Sequence, residues 1–260
     1  MMRTANPALS AKTFTQVRSF EQGQTMTLQG TVNKSIILLT LLLVTASWVW
    51  GKVMQPVPMF EGFEGQAVRS SFNVMPFIMG GFISGLIAAI ITIFKKEWAA
   101  VTAPIYALCE GLFLGGISAM FEMRYPGIVI QAVALTFGTL FALLMAYKSG
   151  MIKATENFKL GIVAATGAIF LIYLVSFIMG FFGASIPMIH SSGPIGIGFS
   201  LVVVTIAALN LVLDFDFIEQ GAEMGVPKYM EWYAAFGLMV TLVWLYMEIL
   251  RLLAKLQSRR

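Results

Sequence analysis

The stretch Ile195-Gly-Ile-Gly-Phe-Ser-Leu-Val-Val-Val-Thr-Ile-Ala-Ala-Leu-Asn-Leu-Val-Leu-Asp-Phe-Asp-Phe217 is apolar almost throughout and ends on two carboxylates. Coiled as an α-helix it measures about 35 Å, enough to cross the hydrocarbon of a bilayer. Backbone groups in lipid must bond to one another, so a run of this length and character is a helix. Six more runs of the same kind occur, at about Ser35–Gly51, Phe72–Phe94, Ala99–Phe121, Gly127–Tyr147, Lys159–Phe182 and Trp232–Leu256. The expected fold is therefore an all-α integral membrane protein, a bundle of seven transmembrane helices over 34–260 preceded by a polar N-terminal segment, 1–33.

Composition agrees. The chain has 260 residues, of which 58% are hydrophobic and 12% charged, with a mean hydropathy of +0.83. A soluble domain carries about 25% charged residues. The net charge of +4 comes from basic residues between the apolar runs, where membrane topology explains them, so nucleic acid is not an expected partner. One cysteine, Cys109, excludes an intrachain disulfide, and one histidine, His190, argues against a His-based zinc site. The first 33 residues show no apolar core with a small-residue cleavage site, so no cleavable signal is expected. No Walker loop, Gly-x-Ser-x-Gly elbow, His-Glu-x-x-His pair or Gly-x-Gly-x-x-Gly fingerprint is present, and the expectation is not an enzyme.

Short links such as Lys95-Lys96-Glu97 and Met123-Arg124-Tyr125-Pro126 make sequence neighbours antiparallel neighbours. Lys52–Ser71 and Gly183–Pro194 are longer. Loop charge places the N-terminal segment, Lys95/Lys96 and Lys148/Lys153/Lys159 on one face, expected to be cytoplasmic. Seven crossings then put the basic tail, Arg251 to Arg260, on the other face. A six-span arrangement with a re-entrant last segment would keep it inside. Gly81-Phe-Ile-Ser-Gly85 and Gly111-Leu-Phe-Leu-Gly115 are small-xxx-small pairs that let helices approach closely, most simply within one monomer.

Four acids need explaining, because a charge at bilayer depth costs roughly 3 kcal/mol or more. Asp214 is either an acid at the water boundary or one facing the bundle interior. Asp216 lies about 200° away around the helix, so the two cannot face one partner, and it suits the boundary better. Glu248 either pairs locally with Arg251 or faces a carboxylate on another helix. Two acids forced together in low dielectric would take up a shared proton. Glu110 lies far from either end of its run, and is either pore-facing or hydrogen-bonded to a neighbouring helix. Asn210, one turn before Asp214, is placed to offer an amide to the same cavity.

Leu213-Asp-Phe-Asp-Phe-Ile-Glu-Gln-Gly-Ala-Glu-Met-Gly225 and Leu245-Tyr-Met-Glu-Ile-Leu-Arg-Leu-Leu253 resemble the C-terminal part of the Bax inhibitor-1/YccA family, the transmembrane Bax inhibitor motif proteins. Arg3-Thr-Ala-Asn-Pro-Ala-Leu9, Met26-Thr-Leu-Gln-Gly-Thr-Val-Asn-Lys34 and Pro227-Lys-Tyr-Met-Glu-Trp232 resemble a bacterial subgroup of it. The resemblance implies a bundle with the C-terminal helix central and a pH-sensitive calcium leak. It implies a gate of two acids sharing a proton, here Asp214 and Glu248, with Lys95 or Lys96 completing the latch. Here Glu stands for the family's second Asp, and Lys for its Arg. The same pair, with Asn210, carbonyls and water, would hold calcium weakly and transiently; no other cofactor is expected. The bilayer, calcium and protons are the expected partners, and a bacterial plasma membrane the expected place. The alternative is an interaction protein without transport, such as a partner of a membrane quality-control protease, contacted through the N-terminal segment.

Overall fold

The computed structural model describes residues 25–55, 60–61, 67–68, 73–183 and 191–259. The subgroup phrase at 3–9 and His190 lie outside the described residues, as does most of the 52–71 link. Among the described residues, seven helices are long and apolar enough to span a bilayer. They are α1 (Leu28–Met54), α2 (Met75–Phe94), α3 (Ala99–Arg124), α4 (Ile128–Lys148), α5 (Glu156–Phe181), α6 (Pro194–Glu223) and α7 (Met230–Gln257). A short antiparallel pair, β1 (Phe60–Glu61) with β2 (Ala67–Val68), stands in the α1–α2 link.

Local chemistry sets the helix ends. The Thr155 side chain accepts from Phe158 N at 3.3 Å and opens α5. Pro194 stands in the first turn of α6, where its missing N–H costs nothing. Gly127, at φ +83°, turns the chain into α4, and the Glu122 carboxylate accepts from Gly127 N at 2.6 Å and Val129 N at 3.1 Å. The first span starts at Leu28, inside the segment expected to be polar and separate. Thr27 caps it by accepting from Gly30 N at 3.0 Å, and the Thr31 and Ser35 hydroxyls bond back to carbonyls four residues earlier. These polar side chains are thereby absorbed into the opening turns.

The ends of α1, α6 and α7 near Leu28, Glu223 and Met230 share one face of the bundle, called the N face, with Lys95, Lys148 and Glu156. The opposite, C face carries Met54, Arg124, Pro194 and Gln257. α7 is one unbroken helix from face to face, so the re-entrant alternative does not hold and the described part of the basic tail, to Arg259, ends on the C face. Two-thirds of the α7 span is buried, against a ninth of α5 (67% and 11%), which makes the last helix the core of the bundle. It packs directly on α1, α3, α4 and α6, while α2 lies mainly against α3 and α5 against α6.

The small-residue pairs set the closest crossings. A Cβ on Gly111 would stand 2.4 Å from Leu42 O of α1, and one on Gly115 2.5 Å from Ala46 O. On α2, a Cβ on Gly81 would meet Cys109 O of α3 at 2.6 Å. These glycines serve packing within the chain, as expected.

Candidate functional site

Asp214 is wholly buried on α6, and among the described residues neither carboxyl oxygen has a hydrogen-bond partner. Its neighbours Leu211, Val212, Leu213 and Phe215 are buried too. Nine residues separate it from the end of α6 at Glu223, about 14 Å along the helix. It is therefore not an acid at the water boundary. Thr241 of α7 faces it closely enough to interact with the carboxyl, yet the Thr241 hydroxyl donates to Gly237 O, at 3.3 Å.

Asp216 faces elsewhere, as the helical angle requires. It accepts from Lys159 Nζ of α5 at 2.6 Å and from Gln220 at 2.5 Å. Asn210 does not serve Asp214 either. Its amide donates to Thr166 Oγ1 of α5 at 2.9 Å and to Ile206 O at 2.8 Å, which uses both N–H groups to tie α6 to α5.

Glu248 has partners of its own. Tyr173 OH of α5 donates to its two oxygens at 3.0 and 3.1 Å, and Arg251 Nη1 donates at 3.0 and 3.2 Å. Arg251 Nη1 also donates to Tyr173 OH at 2.8 Å, and its guanidinium lies 5.2 Å from the Tyr173 ring centroid. The local ion pair is thus real, and the direct Asp214–Glu248 pair implied by the resemblance is not formed. Register gives the reason. Lys255 Nζ of α7 bonds Gly196 O and Ser200 Oγ of α6, at 3.0 and 2.8 Å. The antiparallel helices then set Thr241 opposite Asp214, and Glu248 stands two turns, about 10 Å, further toward the C face. The position where a second acid would meet Asp214 is Thr241.

Lys95 and Lys96 do not complete a latch. Lys95 stacks on Trp98, 4.5 Å from the ring centroid, and Lys96 lies 5.8 Å from that of Tyr233. Both stay at the N face, where their short linking segment holds them. Glu110 belongs to a separate seam, between α2 and α3. Its carboxyl lies against Gly85, where a Cβ would stand 3.2 Å from Oε2, and the Tyr106 hydroxyl is close enough to interact with it. Among the described residues no three His, Cys, Asp or Glu side chains cluster as a metal site. A cavity of about 280 Å³ opens between α1, α3, α4 and α7, but Leu242, Val243 and Tyr246 line it from the side of α7 away from Thr241, and no acid faces it.

These contacts form stripes along the helices that no local sequence feature marks. Lys159, Thr166 and Tyr173 stand seven residues apart on α5, and Thr241, Glu248 and Lys255 seven apart on α7. Ser200 and Asp214 stand fourteen apart on α6. Residues seven apart share a helix face. Polar residues at that interval in apolar helices were the available signal. The stripes meet along the α5–α6–α7 seam and mark it from one face to the other.

The model for Bax inhibitor 1 like proteins matches residues 6–258. The chain belongs to the Bax inhibitor 1-like family. No curated protein and no solved structure matches it. Family membership across 6–258 and seven spanning helices agree on a multi-pass membrane protein in contact with the lipid bilayer.

Proposed function

We propose that this Bax inhibitor 1-like protein is a pH-sensitive calcium leak whose conductance is set by the proton on Asp214. The observation that carries this reading is a fully buried carboxyl, deep in a spanning helix, with no hydrogen bond among the described residues. Protonated, Asp214 is neutral and fits a dry seam. Ionised, it is an uncompensated charge in low dielectric, which draws in water or a cation. The described conformation then corresponds to the closed state, and ionisation opens the way for a divalent ion. Calcium requires six to eight oxygens at equilibrium, and one carboxylate with a few hydroxyls, carbonyls and waters holds it weakly enough to let it pass. Glu248 is not the second half of a proton-sharing pair in this state; it is held by Arg251 and Tyr173. The reading includes no enzymatic step and no resident cofactor, and places the protein in a bacterial plasma membrane.

The test is calcium entry into proteoliposomes across a pH series. Wild type is expected to leak faster as pH rises through the titration of one group. Asp214→Asn is expected to keep the slow, low-pH rate throughout. An unchanged pH profile in Asp214→Asn would remove Asp214 as the sensor. A wild type that admits no calcium at any pH would remove the leak and favour the alternative, an interaction protein of a membrane quality-control protease.

A further inference from the structure

We propose that Arg251 bars the C-face end of the α5–α6–α7 seam, its guanidinium held on the Glu248 carboxylate where a permeating cation would otherwise sit. This rests on the leak reading above. The seam is polar over its whole depth. Lys159 and Asp216 meet near the N face, then Asp214 stands opposite Thr241, with Thr166 and Asn210 about one turn deeper, and Tyr173, Glu248 and Arg251 nearer the C face. Lys255, bonded to Ser200, comes last. α5, which closes the seam from outside, is the least buried of the helices.

From the C face a cation would meet Lys255 and Arg251 before Glu248, two positive charges for one negative. Glu248 is almost fully buried, while the Arg251 side chain is 40% exposed. The acid is thus reachable mainly past the arginine. Tyr173 fixes the arrangement, because its hydroxyl donates to Glu248 and accepts from Arg251, and its ring lies under the guanidinium. Arg251 fills the carboxylate's coordination with N–H donors, which a calcium ion, needing oxygens, has to displace. Substituting the arginine alone leaves a buried carboxylate with one phenolic donor, facing the mouth, which is a cation receptor.

The experiment uses the full chain and two readouts. In calcium-loaded flux assays, Arg251→Gln is expected to leak at least about tenfold faster than wild type, since a unit charge a few ångströms from a divalent ion dominates its entry energy. Arg251→Lys keeps the charge and rises less than about threefold. Tyr173→Phe removes one hydroxyl and rises about threefold, the worth of one hydrogen bond, so the test survives if Arg251→Gln does not fold. Glu248→Gln with Arg251→Gln returns the rate to the wild-type level or below, because no carboxylate remains to receive the ion. The second readout is terbium luminescence of the detergent-solubilised protein, which needs no flux. Arg251→Gln is expected to gain terbium emission that the double variant lacks. If neither flux nor terbium binding responds to Arg251 while the Asp214→Asn profile behaves as expected, the barrier is refuted and the leak stands. If no variant conducts yet Arg251→Gln gains terbium at Glu248, the leak falls and the occlusion of Glu248 by Arg251 stands.

Discussion

Glu231→Ala should loosen the N-face end of the bundle. Glu231, in the first turn of α7, is almost fully buried (1% exposed) and accepts three hydrogen bonds. Two come from Thr27, from its backbone N at 3.0 Å and its hydroxyl at 2.9 Å, and the third from Lys34 Nζ. The neighbouring backbone joins the clasp, with Met26 N donating to Val226 O at 2.7 Å and Thr25 bridging to Pro227. Truncation leaves an ammonium and an N–H without their acceptor. Breaking a buried ion pair from one side costs about 3–5 kcal/mol; Lys34 keeps some contact with water (16% exposed), which lowers the expectation to about 2–3 kcal/mol. Glu231→Gln keeps an acceptor for Thr27 and loses only the ionic part, about 1–2 kcal/mol. For a chain of this length the alanine variant corresponds to a fall in Tm of about 4–10 °C. Thermal unfolding in detergent measures it, and hydrogen exchange locates it, with faster exchange expected at residues 26–34. A Glu231→Ala protein that melts within about 1 °C of wild type would show that the clasp stabilises nothing.

Gly115→Ala should push α1 from α3, because the new Cβ meets only backbone, Ala46 O at 2.5 Å and Ala46 Cα at 2.8 Å, which cannot rotate away; a loss of about 1–3 kcal/mol is expected in thermal unfolding. Gly138→Ala, whose Cβ would meet nothing within 4 Å, should be stabilising by about 0.5–1 kcal/mol in the same assay. The Lys159–Asp216 contact at 2.6 Å should show a coupling of about 1–2 kcal/mol in a double-mutant cycle of Lys159→Met and Asp216→Asn. Thr241→Asp places an acid opposite Asp214 and builds the proton-sharing pair that this chain lacks; its calcium flux should titrate in two steps instead of one.

The number of spans, the antiparallel order and the tight glycine crossings were legible because each rests on a local property, the length and polarity of a run or the size of a side chain. Asp214 was legible as an interior acid for the same reason, having Leu211, Val212 and Leu213 beside it. What could not be read was register. A slide of two turns between α6 and α7 changes no apolar pattern, yet decides whether Asp214 meets Glu248 or Thr241. The contacts that fix it, Lys255 on Gly196 and Ser200, join residues 55 and more apart. The resemblance carried a pair of acids onto the chain by residue type, and followed the carboxylate to Glu248 when the facing position holds a hydroxyl. Tyr173 escaped notice because an isolated tyrosine in an apolar helix has no local mark; it becomes visible only with Lys159 and Thr166 at the same seven-residue interval.

Three other acids of the interior have hydrogen-bonding donors. Asp216 has Lys159 and Gln220, Glu231 has Thr27 and Lys34, and Glu248 has Tyr173 and Arg251. A fold that satisfies those three is not short of hydrogen-bonding groups. Thr241, which faces Asp214, also donates to Gly237 O, and the Asn210 amide is committed to Thr166 and Ile206 O. An isolated buried carboxyl costs stability. On the proposed leak reading, the donors that reach it are water and the hydration shell of a cation, and the α5–α6–α7 seam is the approach. Packing alone would be served as well by a leucine at 214, whereas the proposed leak uses the acid.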